Sequence, residues 1–272
     1  MIVSRGRRLS LAVLILVSSV ALFAQRGGGG TFGVRRPSAT TFTGDFTFCR
    51  LAFRASYGGY GGGWGVDYPR ADENLSIRLS ELSTTAVNMD HAGGPNYVVI
   101  QATEPELFKC PFVALTNHGR AFFSPEEVTA LRAYLQKGGF LWADDAWGSR
   151  SWDHWLGQLR QILPESEFPL VDLPLNHSIF HTLFDAKRIP QIPNIGFYRG
   201  SGGHTSEQGG DSATPHAYAL LDSHGRIVVL TTHNTDFGDA YERESDDPEF
   251  FYKFSVEGYA IGINVLLYAL TH

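Results

Sequence analysis

Residue types that announce a chemistry are scarce in this sequence. Two cysteines in 272 residues cannot by themselves build a tetrahedral thiolate metal centre. No His-Glu-x-x-His stretch offers a zinc-hydrolase helix, and no Gly-x-Ser-x-Gly stretch offers a serine on a strand-to-helix turn. The loop Tyr60-Gly-Gly-Gly-Trp-Gly65 has neither Gly-x-Gly-x-x-Gly nor Walker spacing, and reads as a sterically permissive loop. Cationic residues are outnumbered, 22 Lys and Arg against 28 Asp and Glu. A broad nucleic-acid face needs clustered Lys and Arg to displace phosphate counterions, so nucleic acid is not expected as a partner.

What is present divides the chain into three stretches. Arg5, Arg7 and Arg8 precede an apolar run from Leu9 to Ala24, with small residues at Ser19, Ala21 and Ala24, the layout of a secretory signal. The run is slightly short of the ~20 residues that span a bilayer. Residues 1–24 are therefore expected to be a signal and the protein to be exported, periplasmic or secreted. Contact with a membrane would come only through this segment left uncleaved. Residues 25–41, rich in Gly and Arg, read as a flexible tether. Residues 42–272 read as a single α/β domain.

Within that domain, Phe46–Phe53, Asn96–Ile100, Phe112–Thr116 and Phe140–Ala143 are apolar runs of strand length. Asp72 is placed to cap a helix with Leu75, Leu79, Leu82 and Ala86 on one face. Ser124-Pro-Glu-Glu127 is a capping box with proline in the first turn, and Gly138-Gly139 ends that helix. Trp152, Trp155, Leu156, Leu159 and Leu163 mark another amphipathic helix. Asp222-Ser-His-Gly225 joins two strands as a hairpin. Tyr259–Leu270, apolar nearly all round, reads as a buried packing helix. Asp185 to Asp211 lacks regular signal and reads as an irregular insertion over one edge. Cys49 and Cys110 each lie in or beside a buried strand, where cysteine behaves as a small hydrophobe. They are expected to be unpaired, although an oxidising compartment would permit a bond.

Alternating strands and helices imply a sandwich with a largely parallel sheet, and ligands of such sheets sit beyond the carboxyl ends of the strands. Three strands end in polar groups there: Leu115-Thr-Asn-His-Gly119, Trp142-Ala-Asp-Asp145 and Leu230-Thr-Thr-His-Asn-Thr-Asp236. Asn117, His118, Asp144, Asp145, Trp147, His233 and Asp236 are the resulting candidates for a ligand site, though polar strand ends are ordinary in α/β proteins. His118, Asp144, Asp145, His233 and Asp236 are of metal-ligand type without diagnostic spacing, so no metal or cofactor is assigned. His177 and His181, four apart, would share a helical face, but one of them reads better as a cap. Arg70 and Asp72 could bind an anion or pair with each other.

Several segments together resemble a bacterial family known as domain of unknown function 4159. They are Tyr68-Pro-Arg-Ala-Asp-Glu-Asn-Leu-Ser-Ile-Arg-Leu-Ser-Glu-Leu82, the block from Leu115 to Asp145, Thr232-His-Asn-Thr-Asp-Phe-Gly-Asp239 and Gly262-Ile-Asn-Val-Leu-Leu-Tyr-Ala-Leu270. The resemblance implies a flavodoxin-like three-layer sandwich of the class I glutamine-amidotransferase-like type. In amidotransferases of that fold the strand-to-helix turn carries a cysteine nucleophile, and the matching position here carries Asp144-Asp145. Thioester chemistry needs a thiolate with a neighbouring base, so glutaminase activity is not expected. The residues point to an exported, non-catalytic module that binds a small ligand or an envelope protein. The alternative is an Asp/His-dependent hydrolase, possible with or without a metal. Tyr57, Tyr60 and Trp64 offer aromatic surface for a carbohydrate or peptide, or cover for the core.

Overall fold

A computed structural model describes residues 33–55 and 63–272. The expected signal segment, the start of the tether, and Tyr57 and Tyr60 of the glycine loop lie outside the described residues. Seven strands form one sheet: β1 (Phe48–Ala52), β2 (Tyr97–Gln101), β3 (Phe112–Thr116), β4 (Phe140–Asp144), β5 (Leu170–Asp172), β6 (His216–Leu221) and β7 (Ile227–His233). Their order is β2-β1-β3-β4-β7-β6-β5. The first five in that order are parallel, and β6 and β5 extend the sheet antiparallel. This α/β architecture is consistent with a flavodoxin-like sandwich. The connection from β1 to β2 runs one way and that from β2 to β3 returns past it, so the sheet has a switch point between β1 and β3.

Alternation along the strands sets the two cores. Phe112, Ala114, Phe140, Trp142 and Leu230 face α1 (Arg70–Leu82), α5 (Phe237–Glu242) and the C-terminal α6 (Val256–Thr271). For this numbering α2 is Pro125–Gln136, α3 is Gly148–Ile162 and α4 is Ile195–Gly200. Val113, Leu115, Leu141, Ala143 and Val229 face α2 and α3. Both faces are covered, which is why these strands read as continuous apolar runs.

The capping box forms as expected: Ser124 accepts from the Glu127 amide and Glu127 accepts from the Ser124 amide. Gly138, at φ 103°, follows the helix end in a conformation that favours glycine. The hairpin β6–β7 and the buried C-terminal helix also form where expected. By length and composition the helical run from Pro248 to Thr271 could cross a membrane, but most of it is packed into the core facing α1 and α5, with Tyr252 and Val256 left exposed.

Three expectations are corrected. Asp72 does not cap α1; Pro69 occupies that position without a side-chain cap. Asp72 instead lies inside the first turn, fully buried, and both its oxygens accept from Arg50 Nε at 3.1 and 3.0 Å. Leu75 and Leu79 are buried, whereas Leu82 is exposed and Ala86 lies beyond the helix. Cys49 and Cys110 are joined in a disulfide, with Cα atoms 6.1 Å apart. The reason is sheet register: Cys49 lies opposite Val113 on β3, which brings the residues just before that strand beside it. The 185–211 insertion is not wholly irregular, for it contains α4, capped by Asn194.

Candidate functional site

The three central strand ends share one backbone device. Asn117 after β3, Asp145 after β4 and Asn234 after β7 are all left-handed, with φ of 59°, 59° and 58°. Asn and Asp are the residues other than glycine that best tolerate this region. The turns are stitched across the sheet edge: the Asn117 amide donates to the Asp144 carbonyl and the Asn234 amide to the Ala146 carbonyl, each at 2.8 Å. Part of the polar signature at these ends is therefore conformational.

Beyond this edge lies a cavity of about 300 Å³. Its wall includes Asn117, Asp145, Trp147 and Asp236, together with Glu207 and Gln208 from the insertion. Asp145 is fixed at both oxygens, by Trp147 Nε1 and by Asn117 Nδ2, each 3.2 Å away. Asn117 Oδ1 is buried and has no hydrogen-bond partner. Burial first, then the neighbouring Asp144 and Glu207, push the Asp145 carboxyl well above its ordinary range. Asp236 is raised well above it too, by burial and then by Asp67 and Asp145. Burial also raises Glu207. Loss of solvation is the chief cause in all three, and neighbouring carboxylates add to it at Asp145 and Asp236.

The other three sequence candidates point elsewhere: Asp144 and His233 are the last residues of their strands, where successive residues face opposite sides, and His118 opens a short 3-10 turn after the left-handed Asn117. Asp144 faces α5: it accepts from Thr232 Oγ1 and from the amides of Phe237 and Gly238 at 2.7 and 3.1 Å. Burial brings its carboxyl to about 6. His118 lies under α3, donating from Nδ1 to the Asp144 carbonyl at 3.0 Å and packing on Trp155. His233 is on the same side against Trp152, 6.5 Å from His118 between ring centres. Burial lowers these imidazoles to about 3 and about 4, so both are neutral. Neither lines the cavity. His177 serves as a cap, accepting from the Ile179 amide, and Arg70 pairs with Asp246 at 3.8 Å.

A family model described as a domain of unknown function, DUF4159, matches residues 50–270. The chain belongs to the DUF4159 family. No curated protein matches it. The match begins at Arg50 inside β1, takes in the other six strands whole and covers every element of the candidate site in this DUF4159 chain.

Some site residues escaped sequence reasoning. Arg50, in the middle of a strand-like run, is wholly buried and donates from Nη1 to the carbonyls of Trp64 and Val66 and to Thr116 Oγ1, at 3.2, 3.0 and 2.7 Å. It thereby ties the segment before α1, which carries Asp67, to β1 and β3. Asp239 and Glu242 had a usable signal: with Asp236 they recur every third residue, which puts carboxyls on one face of a short helix. Asp67 and Glu207, in irregular chain, had none.

Proposed function

We propose that this DUF4159 chain is an exported, non-catalytic binding module on an amidotransferase-like variant of the flavodoxin-like sandwich, and that its cavity takes a small organic cation such as an amine. The observation that carries this reading is the convergence of Asp145, Asp236 and Glu207 on one cavity, with burial raising all three and repulsion from neighbouring carboxylates adding to the rise at Asp145 and Asp236. A ligand ammonium would relieve that repulsion, and about 300 Å³ is room for a small organic molecule rather than a bare ion. Support for the non-catalytic part comes from the turn after β4, which presents Asp145 where amidotransferases of the resembled fold present cysteine, and from the pairing of both cysteines with each other. Export is supported by the charged and apolar N-terminal pattern and by the disulfide, a bond that persists in oxidising compartments.

The test is calorimetric titration of the purified chain with putrescine, ethanolamine and glucosamine at matched ionic strength. Saturable binding of at least one is expected, weakened about tenfold or more in Asp145→Asn and in Glu207→Gln, since a hydrogen bond to a charged group is worth ~1.5–3 kcal/mol. Heats no larger than those of sodium chloride would sink the reading. The hydrolase alternative draws on one observation, the raised Asp145 carboxyl on a strand-to-helix turn, and without an imidazole in the cavity wall it would rest on carboxyls alone. Turnover of a glycoside or ester panel, lost in Asp145→Asn, would favour it.

A further inference from the structure

Beside the cavity, a second group of acids meets between the segment preceding α1 and helix α5. Asp67 lies in the first of these, left-handed at φ 64° and 7% exposed. Its Oδ2 is buried and accepts no hydrogen bond. That oxygen is aimed at the first turn of α5: a Cβ built on Gly238 would stand 2.1 Å from it and 3.2 Å from Asp236 Oδ1. Only a glycine lets the Asp67 carboxyl approach the helix so closely. Asp239, fully buried, and Glu242 follow at a spacing of three residues, on the same side of α5.

One oxygen each from Asp67, Asp239 and Glu242 lies within 4.8 Å of the others. Oxygens around a calcium or magnesium ion stand ~2.0–2.6 Å from it, so any two are at most about 5 Å apart. The local charge is also unbalanced. Arg243 reaches Asp239 Oδ1 at 3.4 Å and Glu242 Oε2 at 2.9 Å, one cation for two of the carboxylates. Of the other guanidiniums nearby, Arg70 pairs with Asp246 and Arg50 with Asp72. When ionised, the three carboxylates against one guanidinium carry two net negative charges, which one divalent ion would cancel. The donors are all carboxylate oxygens, which suit hard cations rather than thiophilic or imidazole-seeking ones.

We propose that Asp67, Asp239 and Glu242 bind a hard divalent cation, calcium or magnesium, between the segment preceding α1 and helix α5. The ion would fasten two elements that border the cavity, since Val66 and Asp236, the neighbours of Asp67 and α5, both lie in its wall. This site shares no ligand with Asp145 or Glu207 and stands or falls independently of the cavity's own ligand.

The experiment uses the full folded chain stripped with chelator and dialysed, titrated calorimetrically with calcium, magnesium and manganese chlorides, with thermal midpoints recorded in parallel. One ion per chain and a midpoint rise of several degrees at millimolar metal are expected. Asp67→Asn, nearly isosteric, should weaken binding by roughly tenfold or more, as loss even of an outer partner does at metal sites. Its metal-free midpoint should equal or exceed that of the unsubstituted chain, because the charge removed has no cation in contact; this shows that the variant folds. Asp145→Asn, in the cavity wall, should keep metal affinity. Absence of both heat and midpoint shift with all three metals would overturn the proposal, as would unchanged metal affinity in Asp67→Asn.

Discussion

At the scale of single residues, the strand ends show how a polar side chain can be selected by its own backbone. Asn117 holds a φ of 59° and also donates to Asp145 from its side chain. Two substitutions separate these roles. Asn117→Ala and Asn117→Gly both delete the side-chain bond, but only glycine is at ease in the left-handed region. The alanine variant should therefore be less stable than the glycine variant by about 1 kcal/mol, read from denaturant midpoints. Equal midpoints would mean that backbone conformation does not govern this position. The same duality explains what was legible in the sequence. The polar strand ends marked the correct edge of the sheet and four of the cavity's wall residues, Asn117, Asp145, Trp147 and Asp236. They could not tell which side each residue would face, and so grouped with them His233 and Asp144, which strand alternation sends to the packed faces, and His118, which the 3-10 turn after Asn117 sends under α3.

At the scale of elements, α5 is six residues long, well below the length at which a helix stands alone in water. Its first turn is held from outside. Asp144 accepts from the amides of Phe237 and Gly238, 93 and 94 residues away in sequence, and Asp236 accepts from the Asp239 amide at 2.9 Å. Asp144→Ala would leave the buried amides of Phe237 and Gly238 without their acceptor, and the Thr232 hydroxyl with only the Ala143 carbonyl at 3.4 Å. A loss of about 3 kcal/mol is expected, with faster amide hydrogen exchange concentrated in residues 237–242. Uniform exchange across the chain would count against a clamp acting on this helix. Dependence on distant partners also separates the elements that sequence reveals from those it hides. The helix after Ser124 carries its own cap and stop, and β3 and β4 carry their own apolar runs. In contrast, α5 depends on a carboxylate from β4, α4, beyond its local Asn194 cap, on the packing of Tyr198 against Phe250 and Phe254, and the Cys49–Cys110 bond on the register of two strands.

At the scale of the whole molecule, the buried titratable groups pull stability in opposite directions as pH changes. His118 and His233 are held at about 3 and about 4, below the ordinary 6.5. Their contribution is complete above pH ~6.5 and is lost as pH falls toward those values, because the unfolded chain takes up protons that the folded chain refuses. Asp144 and Asp239 are displaced the other way, from 3.8 to about 6, chiefly by burial. The folded chain takes up those protons first, so this contribution is complete below pH ~4 and is lost as pH rises through about 6. Between pH 4 and 6 the two sets offset each other, and the unsubstituted chain alone would hide both. Substitution uncovers them. In His118→Asn the amide can still donate to the Asp144 carbonyl, but the proton-refusing ring is gone. Relative to the unsubstituted chain, this variant should gain about 2–3 kcal/mol between pH 7 and pH 4.5, since each pKa unit is worth ~1.36 kcal/mol. In Asp239→Asn, measured in chelator, the relative gain should appear in the opposite direction, as pH rises from 4 to 7. Denaturant unfolding at closely spaced pH values reads both. Parallel stability curves for the three proteins would mean that neither group keeps its displaced titration in the folded chain, and the opposed-charge account of this core would fail.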